Sequence, residues 1–252
     1  MNETVIITGA SRGLGAALAE QLLAPSRRLI VIARGVNPAL LERARALSAP
    51  LDYHQHDLSQ VEATAALAAR LADDLGAMPR PSRYVLINNA GTVEPVALAQ
   101  HLPAAAAAMA MNLNVVAVMT LSAAFLAATQ AGGAERRILN ISSNAGRRPV
   151  PGWGVYCSTK AALDMYSRCI KAEQAGAANP ARVCSLAPGV IDTEMQSVIR
   201  GSSSDQFPQL ERFMQMKAEG TLSDPASVAG RLIEYLNRDD FGERDIDDIR
   251  NY

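Results

Sequence analysis

Thr4-Val5-Ile6-Ile7-Thr8-Gly9-Ala10-Ser11-Arg12-Gly13-Leu14-Gly15 stands almost at the start of the chain and decides how the rest is read. The β-branched apolar run stops at Gly9. Ala16-Ala17-Leu18-Ala19-Glu20-Gln21-Leu22-Leu23 follows with helical composition and period. Strand, glycine-rich turn and helix is the setting that a dinucleotide-binding loop requires. Glycines permit the tight turn and let backbone N–H groups approach a pyrophosphate, which then lies at the positive end of the helix. Gly9, Ser11, Arg12, Gly13, Leu14 and Gly15 are therefore candidate cofactor residues. Their spacing is G-x-x-x-G-x-G rather than G-x-G-x-x-G, so a turn serving chain geometry alone is the rival reading.

The next predicted strand, Arg28 to Ala33, ends at Arg34, nineteen residues after Gly15. An acidic residue about there would bind the ribose 2′-hydroxyl of NAD, whereas a basic one suits the 2′-phosphate of NADP. Arg34, with Arg12 inside the glycine loop, offers two guanidiniums for charge-assisted contacts to one phosphate. The pair favours NADP, against the alternative that each is a solvated surface charge.

Apolar strands alternate with Ala/Leu-rich helical stretches along the remaining chain, the pattern of a doubly wound, mostly parallel Rossmann-like sheet of the α/β class, covered on both faces. Helices are expected near 38–47, 61–75, 103–129, 153–175 and 225–237, and strands near 51–55, 84–87, 137–141 and 182–186. Residues 190–220 read as irregular, a candidate substrate lid, and the stretch from Asp239 to Tyr252 as an acidic tail. No composition shift or repeat divides residues 1–252, so one domain is expected. In open parallel sheets ligands sit beyond the carboxyl ends of the strands. The glycine loop, Arg34, Asp57-Leu58, Asn89-Ala90-Gly91, Ser143 and Pro188-Gly189 all fall at such ends.

Composition narrows the classes of function. Lys plus Arg number 24 against 25 Asp plus Glu, a net charge of −1, which gives no basic footprint for nucleic acid. No long apolar run is free of polar interruption, so no membrane span is expected. The start lacks a secretory pattern, and the three cysteines, Cys157, Cys169 and Cys184, have no metal-like spacing; they read as reduced thiols of a cytoplasmic protein. The histidines His54, His56 and His101 form no ligand set, so no metal is expected.

Tyr156 and Lys160 stand four residues apart, with Ser143 thirteen residues before the tyrosine. On a helix that spacing brings phenol and ammonium to one face. A phenol of ordinary pKa about 10 is a poor acid or base near neutrality, and a neighbouring cation lowers its pKa towards the working range. A serine at a strand end beside it would hold a substrate oxygen.

T-G-A-S-R-G-L-G, N-N-A-G, N-I-S-S, Y-C-S-T-K and P-G together resemble the short-chain dehydrogenase/reductase family over essentially the whole chain. The resemblance implies a seven-stranded sheet, a homodimer or homotetramer built on the two long helices, and a catalytic tetrad of Asn112, Ser143, Tyr156 and Lys160. It implies NADPH-dependent reduction of a small-molecule carbonyl, with Tyr156 giving the proton and Lys160 binding the nicotinamide ribose. Asn112 would interrupt its helix and hold a water. Asp57-Leu58 would face the adenine, Asn89-Ala90-Gly91 would back the ribose, and Pro188, Gly189, Ile191 and Thr193 would follow the carboxamide and pyrophosphate. Within the family, K-A-E-G-T-L (217–222) and the acidic tail are similar to sepiapterin reductases and bacterial diketone-reducing relatives. There a tail carboxylate anchors the pterin. Asp247 is the best match, with Asp245 and Asp248 as neighbours, and a solvated acidic tail is the rival reading. Trp153 and Met195 are the further candidates for substrate contact, with Met214 and Met216 as possible additions and ordinary packing as the alternative. Two other functions share the motifs: a non-catalytic NADP-binding sensor or scaffold, and an alcohol dehydrogenase working oxidatively.

Overall fold

In a computed structural model, which describes residues 2–77 and 79–252, seven strands form one parallel sheet. They are β1 (Glu3–Thr8), β2 (Arg27–Ala33), β3 (Leu51–Gln55), β4 (Arg83–Asn88), β5 (Glu135–Ile141), β6 (Arg182–Ala187) and β7 (Ile246–Asp248). Their order across the sheet is β3-β2-β1-β4-β5-β6-β7. The helices are α1 (Gly13–Leu22), α2 (Pro38–Ala46), α3 (Val61–Ala77), α4 (Ala104–Met111), α5 (Ala117–Thr129), α6 (Gly154–Gln174), α7 (Glu194–Arg200), α8 (Leu210–Ala218) and α9 (Pro225–Asn237).

Successive strand residues point to opposite faces. Val5, Ile7, Leu29, Val31, Val85 and Ile87 pack with α1, α2 and α9. Ile6, Ile30, Ile32, Tyr84 and Leu86 pack with α3 and α5 on the other face. Both faces are buried, so these strands read as unbroken apolar runs rather than alternating ones. Local chemistry starts two of the helices: Asn37 caps α2 by accepting from Leu40 N at 3.1 Å, and Asp224 caps α9 through Ser227 N at 2.8 Å. Each cap is followed by a proline whose fixed φ suits the first helical turn.

Three stretches differ from the sequence reading. The helix expected over 103–129 is broken: Asn112–Val116 is wound as one π turn, where the Ala117 N–H reaches back to the Asn112 carbonyl. The continuous stretch Ala104–Thr129 is long and apolar enough, by length and composition alone, to cross a membrane; in this fold α5 packs on α3. Residues 190–220 are not irregular but hold α7 and α8, short helices whose few apolar residues gave no clear period. The acidic tail is solvated only in part: Asp247, Asp248 and Ile249 are buried, while Asp239, Glu243 and Arg244 are exposed. Ile246, Asp247 and Asp248 pair with Ser185, Leu186 and Ala187 as the edge strand β7. Backbone pairing and polar partners there take the place of an apolar pattern.

Candidate active site

The strand order reverses between β1 and β4, and the loops leaving their carboxyl ends diverge there. A cleft of about 530 Å³ opens at this edge, lined by the segments that follow β1 to β6. That volume suits a small-molecule or cofactor site, for which about 300–1,000 Å³ is usual.

The floor of the cleft is the glycine loop. Gly9 has φ +74° and Gly13 φ +57°, conformations that side chains strain against. A Cβ on Gly15 would lie 2.2 Å from the Gly9 carbonyl oxygen, and one on Gly9 would lie 2.8 Å from Ala90 Cα. The loop is fixed to the next strand end from both sides. Thr8 Oγ1 accepts from the N–H groups of Asn89 and Ala90 at 3.0 Å, and Asn89 Nδ2 donates to the Thr8 carbonyl at 3.0 Å. The first turn of α1 has no side-chain cap, so its N-terminal amides stay available to an anion. This cradle fits the pyrophosphate of a dinucleotide.

Arg34 and Arg12 line one end of the cleft with Ser11, Leu14, Asp57 and Leu58. Arg12 pairs with Glu194 at the start of α7, both well exposed. Burial alone would raise the Asp57 carboxyl, yet it lies below its ordinary value. Hydrogen bonds from Ser59 N (3.0 Å) and Oγ (2.8 Å), with Arg34 nearby, outweigh the burial. Among the described residues no group of three or more His, Cys, Asp or Glu could hold a metal.

β5 also delivers Ser142 and Ser143 into a short 3₁₀ turn, Asn144–Gly146, where Ser143 Oγ accepts from Ala145 N at 3.2 Å. A Cβ on Gly146 would lie 2.7 Å from the Lys160 carbonyl carbon, so glycine lets this turn sit directly on α6. Tyr156 and Lys160 share the face of α6 below it, and both are buried. Lys160 Nζ donates to the Ile141 carbonyl at 2.8 Å and stands 5.6 Å from the Tyr156 ring centroid. Burial pushes the Tyr156 phenol up to about 12, against a smaller downward pull from the Ser143 hydroxyl. Burial pushes the Lys160 ammonium down to about 8, partly offset by Asp164. The expected lowering of the tyrosine by the lysine is not what these groups produce. Desolvation dominates both, and the ammonium is turned to a carbonyl.

The short chain dehydrogenase family model matches residues 3–203. The chain belongs to that family. A benzil reductase ((S)-benzoin forming) of Bacillus cereus is 35% identical, with 96% of this chain and 97% of that protein covered. A sepiapterin reductase of Meriones unguiculatus is 38% identical, covering 94% of this chain and 92% of that one. Among solved structures, a short-chain dehydrogenase/reductase of Burkholderia vietnamiensis is 35% identical with a TM-score of 0.67, over 99% of this chain and 98% of that one. The family uses NAD(P) cofactors and acts on small molecules.

Asn89, Ala90, Gly91, Pro188, Gly189, Ile191 and Thr193 of this short-chain dehydrogenase line the cleft, as do Ser143, Trp153, Tyr156, Lys160 and Met195. Two expected residues do not. Asn112 is half-buried at the end of α4 and lines no part of the cleft. Asn114 takes the place expected of it. It is buried, its Oδ1 accepts from Thr92 N at 2.8 Å, and its Nδ2 donates to the Thr92 carbonyl at 2.8 Å and to Thr159 Oγ1 at 3.1 Å. A Cβ on the facing Gly91 would lie 3.2 Å from Asn114 Oδ1 and 3.8 Å from Lys160 Nζ. The sequence N-L-N carries two asparagines, and the π turn changes which of them points inward.

Asp247 is the second correction. Its carboxylate is buried behind the sheet edge, accepting from Tyr252 Oη at 2.6 Å, Asn251 Nδ2 at 2.8 Å and Asp248 N at 2.8 Å. Pairing of β7 with β6 turns it to the tyrosines of α9 and the terminus, away from the cleft. Asp245 pairs with Arg168 at 3.5 Å. Arg250 is the tail residue that does line the cleft, and nothing in an acidic tail pointed to it.

One wall of the cleft is aromatic. Trp153 stacks on Phe207, with ring centroids 4.8 Å apart and planes 12° from parallel. It meets Tyr156 edge-on at 5.5 Å and Phe213 at 5.4 Å. A Cβ on Gly152 would lie 2.3 Å from the Gln206 carbonyl oxygen, so glycine before the tryptophan allows this close packing. Met216 joins Met195 on the wall, while Met214 is exposed and does not.

Proposed function

We propose that this short-chain dehydrogenase reduces a ketone or 1,2-diketone with NADPH. The observation that carries the reading is a buried Tyr156 that lines, with Ser143 and Lys160, the cleft that the glycine loop floors. A bound NADPH would supply the hydride. Ser143 and Tyr156 hydrogen-bond the substrate carbonyl oxygen and stabilise the charge that grows on it, and the Tyr156 Oη passes its proton to that oxygen. Lys160, anchored on the Ile141 carbonyl, keeps a positive charge near the phenol and would bind the nicotinamide ribose. Asn114, rather than Asn112, braces the wall behind Lys160 through Thr92 and Thr159.

Arg34 and Arg12 support NADP over NAD, since no carboxylate stands at the end of β2 to take a ribose hydroxyl. The aromatic wall and the kinship with benzil and sepiapterin reductases support a carbonyl flanked by a second carbonyl or a ring system. α7 and α8 supply the cover of the cleft and serve as its lid. Exposed Met111 and Met119 on the α4–α5 stretch and Met165 on α6 support assembly into a homodimer or homotetramer through these two helices.

The test is oxidation of NADPH at 340 nm with benzil and with sepiapterin, NADH serving as the cofactor control. Turnover with NADPH that vanishes in Tyr156→Phe supports the reading. A purified protein that binds NADPH but reduces neither compound overturns it in favour of a non-catalytic binder.

A further inference from the structure

Among the described residues lining the cleft, Arg250 is the only one contributed by the chain beyond Met216. Its guanidinium is held in one orientation. Nε donates to Asp248 Oδ1 at 2.8 Å and Nη2 to Asp248 Oδ2 at 2.6 Å, a two-point contact that fixes the plane of the group. Asp248 is itself anchored, since its Oδ2 accepts from Asn144 Nδ2 at 2.7 Å, and Asn144 follows Ser143 directly. The tail is thus tied by two hydrogen-bonded steps to the turn that presents the Ser143 hydroxyl.

One edge of the guanidinium, Nε with Nη2, is occupied by Asp248, and Nη1 makes no hydrogen bond among the described residues. Its N–H groups remain as donors. Asp248 offsets the positive charge at contact distance, so the pair acts as a directed donor more than as a free cation. Such a donor suits the lone pair of a neutral carbonyl oxygen. Glu94, Arg148 and Arg212 also line the cleft but have no comparable anchor among the described residues. Trp153 and Phe213, which line the same cleft, offer flat apolar surface for a ring.

We infer that Arg250 is a specificity-determining residue: its Nη1 donates to the second oxygen of a 1,2-dicarbonyl substrate while Ser143 and Tyr156 hold the first. This rests on the carbonyl-reductase reading above. Arg250 is exposed in the free protein, so the discrimination depends on a bound substrate excluding water from Nη1; a substrate with one carbonyl then leaves that donor without a partner.

The experiment compares benzil with deoxybenzoin, in which one of the two carbonyls is a methylene. Arg250→Ala should lower the benzil-to-deoxybenzoin ratio of kcat/KM by roughly tenfold or more. Arg250→Lys keeps the ion pair with Asp248 but has no second planar arm, so it should lower the ratio in the same direction. Binding gives a second readout. Trp153 is the sole tryptophan and stands in the cleft wall, so quenching of its fluorescence reports benzil affinity with oxidised cofactor present and no turnover. Weaker benzil binding in both variants, with unchanged thermal midpoints, supports the inference. An unchanged ratio and unchanged quenching would make Arg250 a tail salt bridge only. A larger loss for benzoylformate, which carries a carboxylate, would make it an anion reader and overturn the inference while leaving the carbonyl-reductase reading intact. A wild-type protein that reduces none of the three overturns that reading, and this one with it.

Discussion

Asp164 Oδ1 accepts a 2.7 Å hydrogen bond from Ser142 Oγ, one residue before Ser143 and one helical turn beyond Lys160. The same oxygen accepts from Ser185 Oγ on β6 at 2.7 Å, and Oδ2 accepts from Arg147 Nε at 3.1 Å. Asp164 therefore holds three chain segments, the end of β5, β6 and the turn after Ser143, onto α6. Removing one partner of a buried ion pair costs about 3–5 kcal/mol, and Arg147 is only partly buried here, so Asp164→Asn should cost about 2–3 kcal/mol. Urea unfolding measures it. A loss below about 0.5 kcal/mol, the scale of a surface change, would show that this network does not hold the segments together.

Lys160 gives a pH signature. Its folded pKa of about 8 lies below the ordinary 10.5, so the fold disfavours the charged form. The cost is fully present below pH 8 and is relieved as pH rises from 8 to 10.5, where the unfolded chain binds more protons. It amounts to on the order of 3 kcal/mol. Lys160→Met, lacking the charge, should be more stable relative to wild type at pH 7 than at pH 10.5. A stability difference that stays flat across that window would rule the buried charge out.

Tyr156 titrates the other way. With its phenol raised to about 12, it stays protonated through the neutral range. Reduction should therefore show no loss of rate from tyrosine ionisation below pH 10, and any fall above pH 8 should follow Lys160. Tyr156→Phe should reduce kcat by roughly 100-fold or more while the Kd for NADPH stays within about twofold. Steady-state rates and NADPH fluorescence titration separate the two effects, and a mutant with wild-type kcat would falsify the proton-donor role.

Gly15→Ala should be the most damaging single methyl in the glycine loop. The new Cβ meets backbone, the Gly9 carbonyl oxygen at 2.2 Å, which cannot rotate away as a side chain would. Overpacking of this kind costs about 1–3 kcal/mol and here must also displace the loop. NADPH affinity and thermal midpoint should fall together. Gly76→Ala, where a Cβ meets nothing within 4 Å, is the matched control.

Arg34 should set the cofactor preference more than Arg12, because Glu194 already occupies the Arg12 guanidinium. Arg34→Ala should cut the NADPH-to-NADH ratio of kcat/KM by roughly tenfold, the scale of one charge-assisted contact. Arg12→Ala should cut it less. The reverse order would place the 2′-phosphate reader in the glycine loop.

The sheet was legible because its strands are buried on both faces and leave unbroken apolar runs, as in Leu29 to Ala33. The cofactor loop was legible because the backbone itself approaches the ligand, and only glycine at Gly9, Gly13 and Gly15 permits that. Tyr156 and Lys160 were legible because a helix fixes the geometry of residues four apart. These local constraints the amino-acid sequence determined alone. It could not choose Asn114 over Asn112, because one π turn rotates the helix between them. Nor could it tell that Asp247 turns inward while Arg250 reaches the cleft. That depends on a three-residue edge strand whose pairing with β6 spans some sixty residues of chain. The ionisation of Tyr156 and Lys160 was likewise decided in three dimensions. Spacing brings a phenol and an ammonium to one face, but how much water remains around them depends on the turn of Gly146 and on the walls of the cleft, and desolvation outweighs their mutual attraction.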